Sequence, residues 1–526
     1  MLTRREWKAA LRGLQIALIV AVFALDFLHG IRLGERDIGF HPIYRFRQTL
    51  AVALSRLHHP AMHGYLADQS VIDALDEAGF PRLPEEGGPR DQASWTAYFS
   101  DSAALDRAME RGLKVTFDPA LPPQIIKGNE VAYADYFVLA FRLFGLHMSS
   151  LYYFFFLILG ASCVLFYIEF RSSSFLLFLL TTYLGGIYFL QNYVNSQNPI
   201  WGATLANSRF FEALTLLPAT HIFLVAWRRR EVRLATAAAV VLQALILAFL
   251  IDCRITARWQ VAAICGAAVF AIRWGKWKNR KWLPALDRNV WNAAWPALVA
   301  VSALGLHMAA INYSVDSRYA DESKYHIIWH EVLRGLLGSS VELQRVYLGH
   351  PTGLGAASDK DSYDAIDYEL NQHHDLSSPI AVVERGMIRV DVTKGWGEYE
   401  RLARNLVLKM VREHPLAVLS SLYNKGVEQV FEYRVRGAMS LQNLKVAIVI
   451  CVIGALIWLG LQSIDEVQLI DGAMATSVLL IFALAPPVIA PSPLSVGTLL
   501  AYLMGFILAV LTFVVLILRR LVGHRS

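Results

Sequence analysis

Apolar runs of about 20 residues recur along this chain, and a run of that length is long enough to cross the hydrocarbon core of a bilayer as a helix. The clearest is SSLYYFFFLILGASCVLFYIEF, Ser149–Phe170, whose one ionisable acid, Glu169, falls at its end. In lipid every backbone polar group must be satisfied within the segment, so runs like this one fold as helices. Crossings are expected at 11–29, 150–170, 174–193, 210–227, 234–252, 259–273, 291–311, 443–461, 468–489 and 495–518. Ten spans make an all-α polytopic membrane protein with both termini on one side.

Basic residues in short loops orient such a protein. Arg4, Arg5, Lys8, Arg171, the run Arg228/Arg229/Arg230/Arg233, the cluster from Arg273 to Arg288, and Arg519/Arg520/Arg525 fall on one face of the drawing, which is therefore cytoplasmic. The short loops on the other face offer little beyond Arg209, Arg254 and Arg258. The formal charge of +6 and pI near 9.0 are accounted for by this pattern, and no nucleic-acid partner follows. A hydrophobic fraction of 55%, a charged fraction of 17% and a mean hydropathy of +0.40 exclude a water-soluble enzyme. The first run lacks a small-residue cleavage site and reads as a retained anchor. Cys163, Cys253, Cys265 and Cys451 lie in or beside apolar runs without metal-ligand spacing, so they read as small buried hydrophobes.

The resulting organisation is a first span (1–29), an extracytoplasmic segment (30–132), spans two to seven (133–311), a second extracytoplasmic segment of mixed structure (312–442), and spans eight to ten with a cytoplasmic tail (443–526). In the first segment, Ile43, Phe46, Leu50, Leu54 and Leu57 recur at helical spacing, with Arg45, Arg47 and Arg56 on other faces, and predict an amphipathic helix on the membrane surface. A second helical pattern passes through Trp95, Phe99, Leu105 and Met109. In the second segment KYHIIWHEVLRGLLG opens as a helix, and the stretch from Gly349 to Asp367 has no assignable pattern. Leu402, Leu406 and Met410 then share a helix face that Pro415 ends, starting the next helix at its first position.

Nucleotide-binding, nucleophile-elbow and zinc-protease signatures are missing, so chemistry has to come from polar groups at the outer membrane surface. Asp26, Glu35 and Asp37 lie at or just after the end of the first span, and Glu130 and Asp135 flank the approach to the second. Any of these carboxylates can serve as a base when shielded from water, although a helix-end Asp reaching the interface is an equally simple reading. Arg209 with Glu212, and Arg254 and Arg258 beside Asp252, place guanidinium forks at headgroup height. Such forks match phosphate oxygens, whether of a lipid-linked substrate or of ordinary phospholipid. His326 and His330 have the spacing of a metal pair on one helix face, but their aromatic neighbours favour a packed, hydrogen-bonded pair.

The order of these features resembles the GT-C class of membrane glycosyltransferases. The likeness lies in the inside amino terminus, one crossing, a long outer segment with early acidic residues, and then YADYFVLAFRLFGLHMSSLYYFFFLILGASCVLFYIEFR: an aromatic helix, LFG, serine, the next crossing and arginine. ARNLVLKMVREHPLAVL is similar to a helix near the end of the outer domain in that class. Where that class carries an adjacent acidic pair, this chain has Glu35-Arg36-Asp37. The resemblance implies a polyprenyl-phosphate sugar donor reached from the outer leaflet of a plasma membrane, in the setting of a bacterial inner membrane and its phospholipid. It also implies an outer-loop carboxylate as base, arginines on the departing lipid phosphate, and a divalent cation such as Mg or Mn as the cofactor to test. Two other readings fit the same topology: a transporter or flippase for a lipid-linked or anionic substrate, and a non-catalytic assembly protein.

Overall fold

The computed structural model describes residues 3–36, 43–58, 66–78, 102–115, 124–125, 131–197, 208–228, 231–278, 288–314, 328–351, 359–374, 376–424, 442–461, 472–482, 500–501, 503–510, 513–514 and 517. The chain divides into two compact units. The first is formed by Met1–Asp316, Ser440–Phe482 and Val496–Ser526, the second by Ser317–Met439 and Ala483–Ser495.

The first unit is a helical bundle, and among the described residues six of its helices are long and apolar enough to cross a membrane: Glu6–Arg32, Ser149–Phe170, Ser174–Gln191, Phe210–Trp227, Leu234–Cys253 and Val290–Ser314. Shorter apolar helices at Gln260–Phe270, Lys445–Trp458 and Gly472–Phe482, and a helical segment at 503–510, fall within the other four expected crossings. The protein is thus an all-α, membrane-embedded protein. The helices used below are α1 (Arg4–Arg36), α2 (Ile43–His58), α3 (Gln69–Glu77), α4 (Ser102–Lys114), α5 (Val131–Phe144), α6 (Ser149–Phe170), α7 (Ser174–Gln197), α8 (Ser208–Trp227), α9 (Leu234–Cys253), α10 (Trp259–Lys278) and α11 (Arg288–Ser314).

Helix α8 has no continuous polar face and is buried on every side from Phe210 to Ala226, its few polar groups, Glu212, Thr215, Thr220 and His221, included. By contrast α1 and α11 leave Leu14, Val20, Leu28, Leu298, Val301 and Leu306 exposed among the described residues, apolar faces suited to lipid. Close approach of helices replaces hydrophobic contrast as the source of cohesion in such a bundle. At Gly454, in the helix Gln442–Leu461, an added Cβ would come within 3.1 Å of the Phe178 ring, so glycine there lets α7 lie closely against that helix without a shift of the ring. Trp458 stacks on Phe178 at 5.9 Å in the same seam, a pair worth about 0.5–1.5 kcal/mol beyond its buried area.

Two features of this unit differ from expectation. Helix α1 does not stop near residue 29 but runs through Gly30 and Gly34 to Arg36: Arg32, Leu33, Glu35 and Arg36 have good helix propensity, no proline intervenes, and the two glycines weaken the helix without ending it. Helix α2 forms as its periodicity predicts, yet Thr49 to Arg56 are buried without interruption. It packs against α5, α4 and α3, so protein rather than a membrane surface covers it. Arg56, expected on a face other than the apolar one, is itself buried and pairs with Asp135. Asp68 caps α3 by accepting from the Ser70 N–H at 2.9 Å, worth about 1 kcal/mol.

The second unit is built from α12 (Ile328–Leu337), α13 (Val341–Leu348), α14 (Asp359–His373), the antiparallel hairpin β3 (Ala381–Glu384) and β4 (Met387–Val390), α15 (Trp396–Glu413) and α16 (Pro415–Asn424). Strands β1 (Leu66–Ala67) and β2 (Gln124–Ile125) form a separate two-residue ladder in the first unit. The previously unassigned stretch contributes the first half of α14, a helix of low hydrophobicity held by contacts remote in sequence. Asn371 accepts from the Ile388 N–H at 2.9 Å and donates to the Ile388 carbonyl at 2.7 Å, so a side-chain amide acts as one more rung beside β4. Leu406 and Met410 are buried with Leu402 packed beside them, and Pro415 opens α16, both as the sequence predicts.

Candidate functional site

A break in regular helix assembles the main polar cluster of the membrane unit. Helix α9 ends at Cys253, Arg254 takes an extended conformation, and one 3-10 turn, Ile255–Arg258, reverses the chain into α10. Asp252, Arg254 and Arg258 are thereby gathered at one end of three neighbouring helices. Arg254 Nε donates to Glu212 Oε1 on α8 at 3.3 Å, with both side chains buried. Arg258 Nη2 donates to Asp252 Oδ1 at 3.3 Å, and the other oxygen of Asp252 meets His307 Nδ1 on α11 at 2.6 Å. Opposite charges are matched one to one, as removal from water requires.

Neighbouring contacts fix this end of the bundle. Cys253 Sγ donates to the Ala132 carbonyl of α5 at 3.2 Å, and Gln260 Nε2 donates to Thr215 Oγ1 at 2.8 Å. The Tyr136 hydroxyl of α5 donates to the Leu151 carbonyl, and burial holds its pKa well above the ordinary tyrosine value, so it remains a donor. The short aromatic helix before the second span thus acts as a strut between α2 and the end of α9.

Chemically, the cluster combines a carboxylate-oriented imidazole with a partly open cation. Asp252 occupies one ring nitrogen of His307, which fixes the ring and leaves the other nitrogen for proton transfer. The Arg258 side chain is 37% exposed, and its Nε is buried without a hydrogen-bond partner among the described residues, so its fork has unused donors.

Three of the expected residues, Glu212, Arg254 and Arg258, meet here. Asp26 does not join them through any hydrogen bond or ion pair among the described residues. Because α1 extends to Arg36, Asp26 stands ten residues from its end, about 15 Å along the helix. It is fully buried against α7, where Gln191 donates to its backbone carbonyl at 3.5 Å, which corrects the picture of a helix-end residue reaching the interface. Glu35 is in the last turn of α1 and Arg209 in the first turn of α8, their side chains lying outside the described part. Asp37 and Glu130 lie outside the described residues, as do Trp95 and Phe99.

His307 is the residue that sequence reasoning missed. Its signal was present: a histidine near the outer end of the run 291–311, at the expected depth of Asp252 on α9, which crosses in the same direction.

In the second unit His330 is buried, its Nδ1 2.6 Å from the Tyr399 hydroxyl, which agrees with the packed reading. His326 is outside the described residues. Glu400 accepts the Trp329 and His330 N–H groups at 2.9 and 3.0 Å, capping α12 with a negative charge at its positive end. Among the described residues no group of three or more His, Cys, Asp or Glu gathers as metal ligands. Glu212 and Asp252, the carboxylates of the cluster, are already engaged by Arg254, Arg258 and His307, so this donor set does not fit a divalent cation as it stands.

Comparison with protein-family models, with curated proteins and with solved structures finds no match.

Proposed function

We propose that the protein is a multi-pass membrane glycosyltransferase of GT-C type that moves a sugar from a polyprenyl-phosphate donor to an acceptor hydroxyl on the extracytoplasmic face. The observation that carries this reading is the cluster of Glu212, Arg254, Asp252, Arg258 and His307 at one end of the α8, α9 and α11 spans. In the ten-span topology, with both termini cytoplasmic in a bacterial inner membrane, that end faces outward. The His307 imidazole, oriented by Asp252, takes the acceptor's proton. The acceptor oxygen bonds to the anomeric carbon, the carbon–oxygen bond to phosphate breaks, and Arg258 balances the charge of the departing lipid phosphate. Glu35, Asp37 and Glu130 are the alternative bases from the first outer segment.

The test is transfer of a labelled sugar from a polyprenyl-phosphate donor in membranes containing the protein. His307→Asn is expected to lower the rate by about 10²- to 10⁴-fold, and Arg258→Ala to weaken donor use. Wild-type membranes that transfer nothing, with unchanged lipid-linked sugars in cells lacking the protein, would refute the reading.

A second reading, a transporter or flippase for a lipid-linked or anionic substrate, is favoured by polar groups buried within the spans. Ser162 Oγ donates to Gln243 Oε1 at 2.9 Å, and Gln243 Nε2 lies 3.3 Å from His221 Nδ1. Transporters place such groups near mid-membrane. Substrate flux into liposomes without sugar transfer would select this reading.

A further inference from the structure

Asp26 has a geometry that neither reading uses. It is fully buried on α1, inside the apolar window Glu6–Arg32, and neither carboxylate oxygen has a hydrogen-bond partner among the described residues. Its depth follows from its neighbours. Phe23 and Phe27, on either side of it, both pack edge-on against Phe156 of α6 at 6.2 and 5.3 Å, well inside that 22-residue helix.

Among the described residues no cation forms an ion pair with it. On α6, Cys163 is near enough to sense the carboxylate, and so is Tyr183 on α7. The Tyr183 hydroxyl is already committed to the Ala213 carbonyl at 3.0 Å. Gln191 reaches only the Asp26 backbone carbonyl, and on α1 itself His29 packs against the Tyr188 ring. The helix Gln442–Leu461 also packs on α1, and its Lys445 lines a groove of about 320 Å³ with Ala21, Val22 and Leu25. No ion pair joins Lys445 to Asp26 among the described residues.

An ionised carboxylate inside a span, with no cation and no donor, is the most costly form this group can take. We propose that Asp26 is an intramembrane proton-binding site, a neutral carboxylic acid held within the bundle at physiological pH. The site stands on packing alone and does not depend on the glycosyltransferase reading. Its ligand is a proton, and its place between α1, α6 and α7 makes release of that proton possible only with movement of those helices or entry of water.

Infrared spectroscopy of the full chain in liposomes tests this, using the difference between wild type and Asp26→Asn at pH 7.5. The expected result is a protonated-carboxyl carbonyl band present in wild type and lost in the variant, with thermal unfolding of the variant unchanged because the amide mimics the neutral acid. A second measurement needs no variant at Asp26: in wild type labelled with 13C-aspartate, a shifted protonated band persists at a pH where exposed aspartates have ionised. Lys445→Ala is expected to leave that band in place. A carboxylate signature at Asp26, or a band that appears only when Lys445 is removed, would overturn the proposal.

Discussion

Asp26 and Asp252 are both buried on helices long and apolar enough to span a membrane, and their surroundings differ completely. Asp252 has Arg258 on one oxygen and His307 on the other. Asp26 has no hydrogen-bond partner on either among the described residues. The difference comes from the backbone around them. Asp252 stands where α9 breaks into a 3-10 turn, and a broken helix can bring side chains from three elements to one point. Asp26 stands ten residues inside an unbroken helix, where neighbours present packing surfaces and little else. Burial by itself therefore says little about what an acid does; the partners decide it.

Removing partners from one side should break this contrast most strongly. Arg254→Ala leaves Glu212 buried without its guanidinium and should cost about 3–5 kcal/mol, read as a lower unfolding temperature in detergent. His307→Asn should separate chemistry from stability: transfer falls about 10²- to 10⁴-fold while the unfolding temperature moves far less than for Arg254→Ala. If instead the two variants unfold alike and transfer is untouched, the Asp252–His307 pair is structural.

Glu400 lies between the extremes, a buried acid that accepts two backbone N–H groups. Glu400→Gln should cost about 1–2 kcal/mol through loss of the charged cap on α12, seen as faster amide exchange at Trp329 and His330.

Asp367 of α14 is a weaker case, its carboxylate accepting from the Val390 N–H at 2.7 Å, with a pKa raised to about 6, chiefly by burial. The folded unit holds that proton more tightly than the unfolded chain, so its contribution to stability is full below about 4 and is lost as pH rises through about 6. Hairpin protection should therefore decline roughly a few-fold between pH 4.5 and 7.5 in wild type, and Asp367→Asn should flatten that part of the profile. The smallest effect is expected where partners are absent: Asp26→Asn should leave the unfolding temperature in place. A marked drop would mean that the aspartate is held ionised and would erase the distinction from Asp252.

Much of this was legible beforehand. Six of the expected crossings are long apolar helices, α8 is as buried as its lack of a polar face demands, and the Pro415 boundary falls where proline requires it. The gathering of Arg254 and Arg258 near Glu212 could be foreseen from their common position at span ends. The full burial of Asp26, the enclosure of α2, the role of Asn371 beside β4 and the pairing of His307 with Asp252 could not.

Local composition determines which segments are helices and which can live in hydrocarbon, because backbone satisfaction and apolar length are properties of a segment alone. The sequence by itself thus determined that this is an all-α membrane protein and where many of its spans begin and end. Which buried polar group receives a partner depends on residues tens to more than a hundred positions apart, as Asp252 and His307, or Asp26 and Gln191, illustrate. Only the tertiary packing of α1, α7, α9 and α11 decided that, since a hydrogen bond or an ion pair forms between surfaces that no single segment encodes.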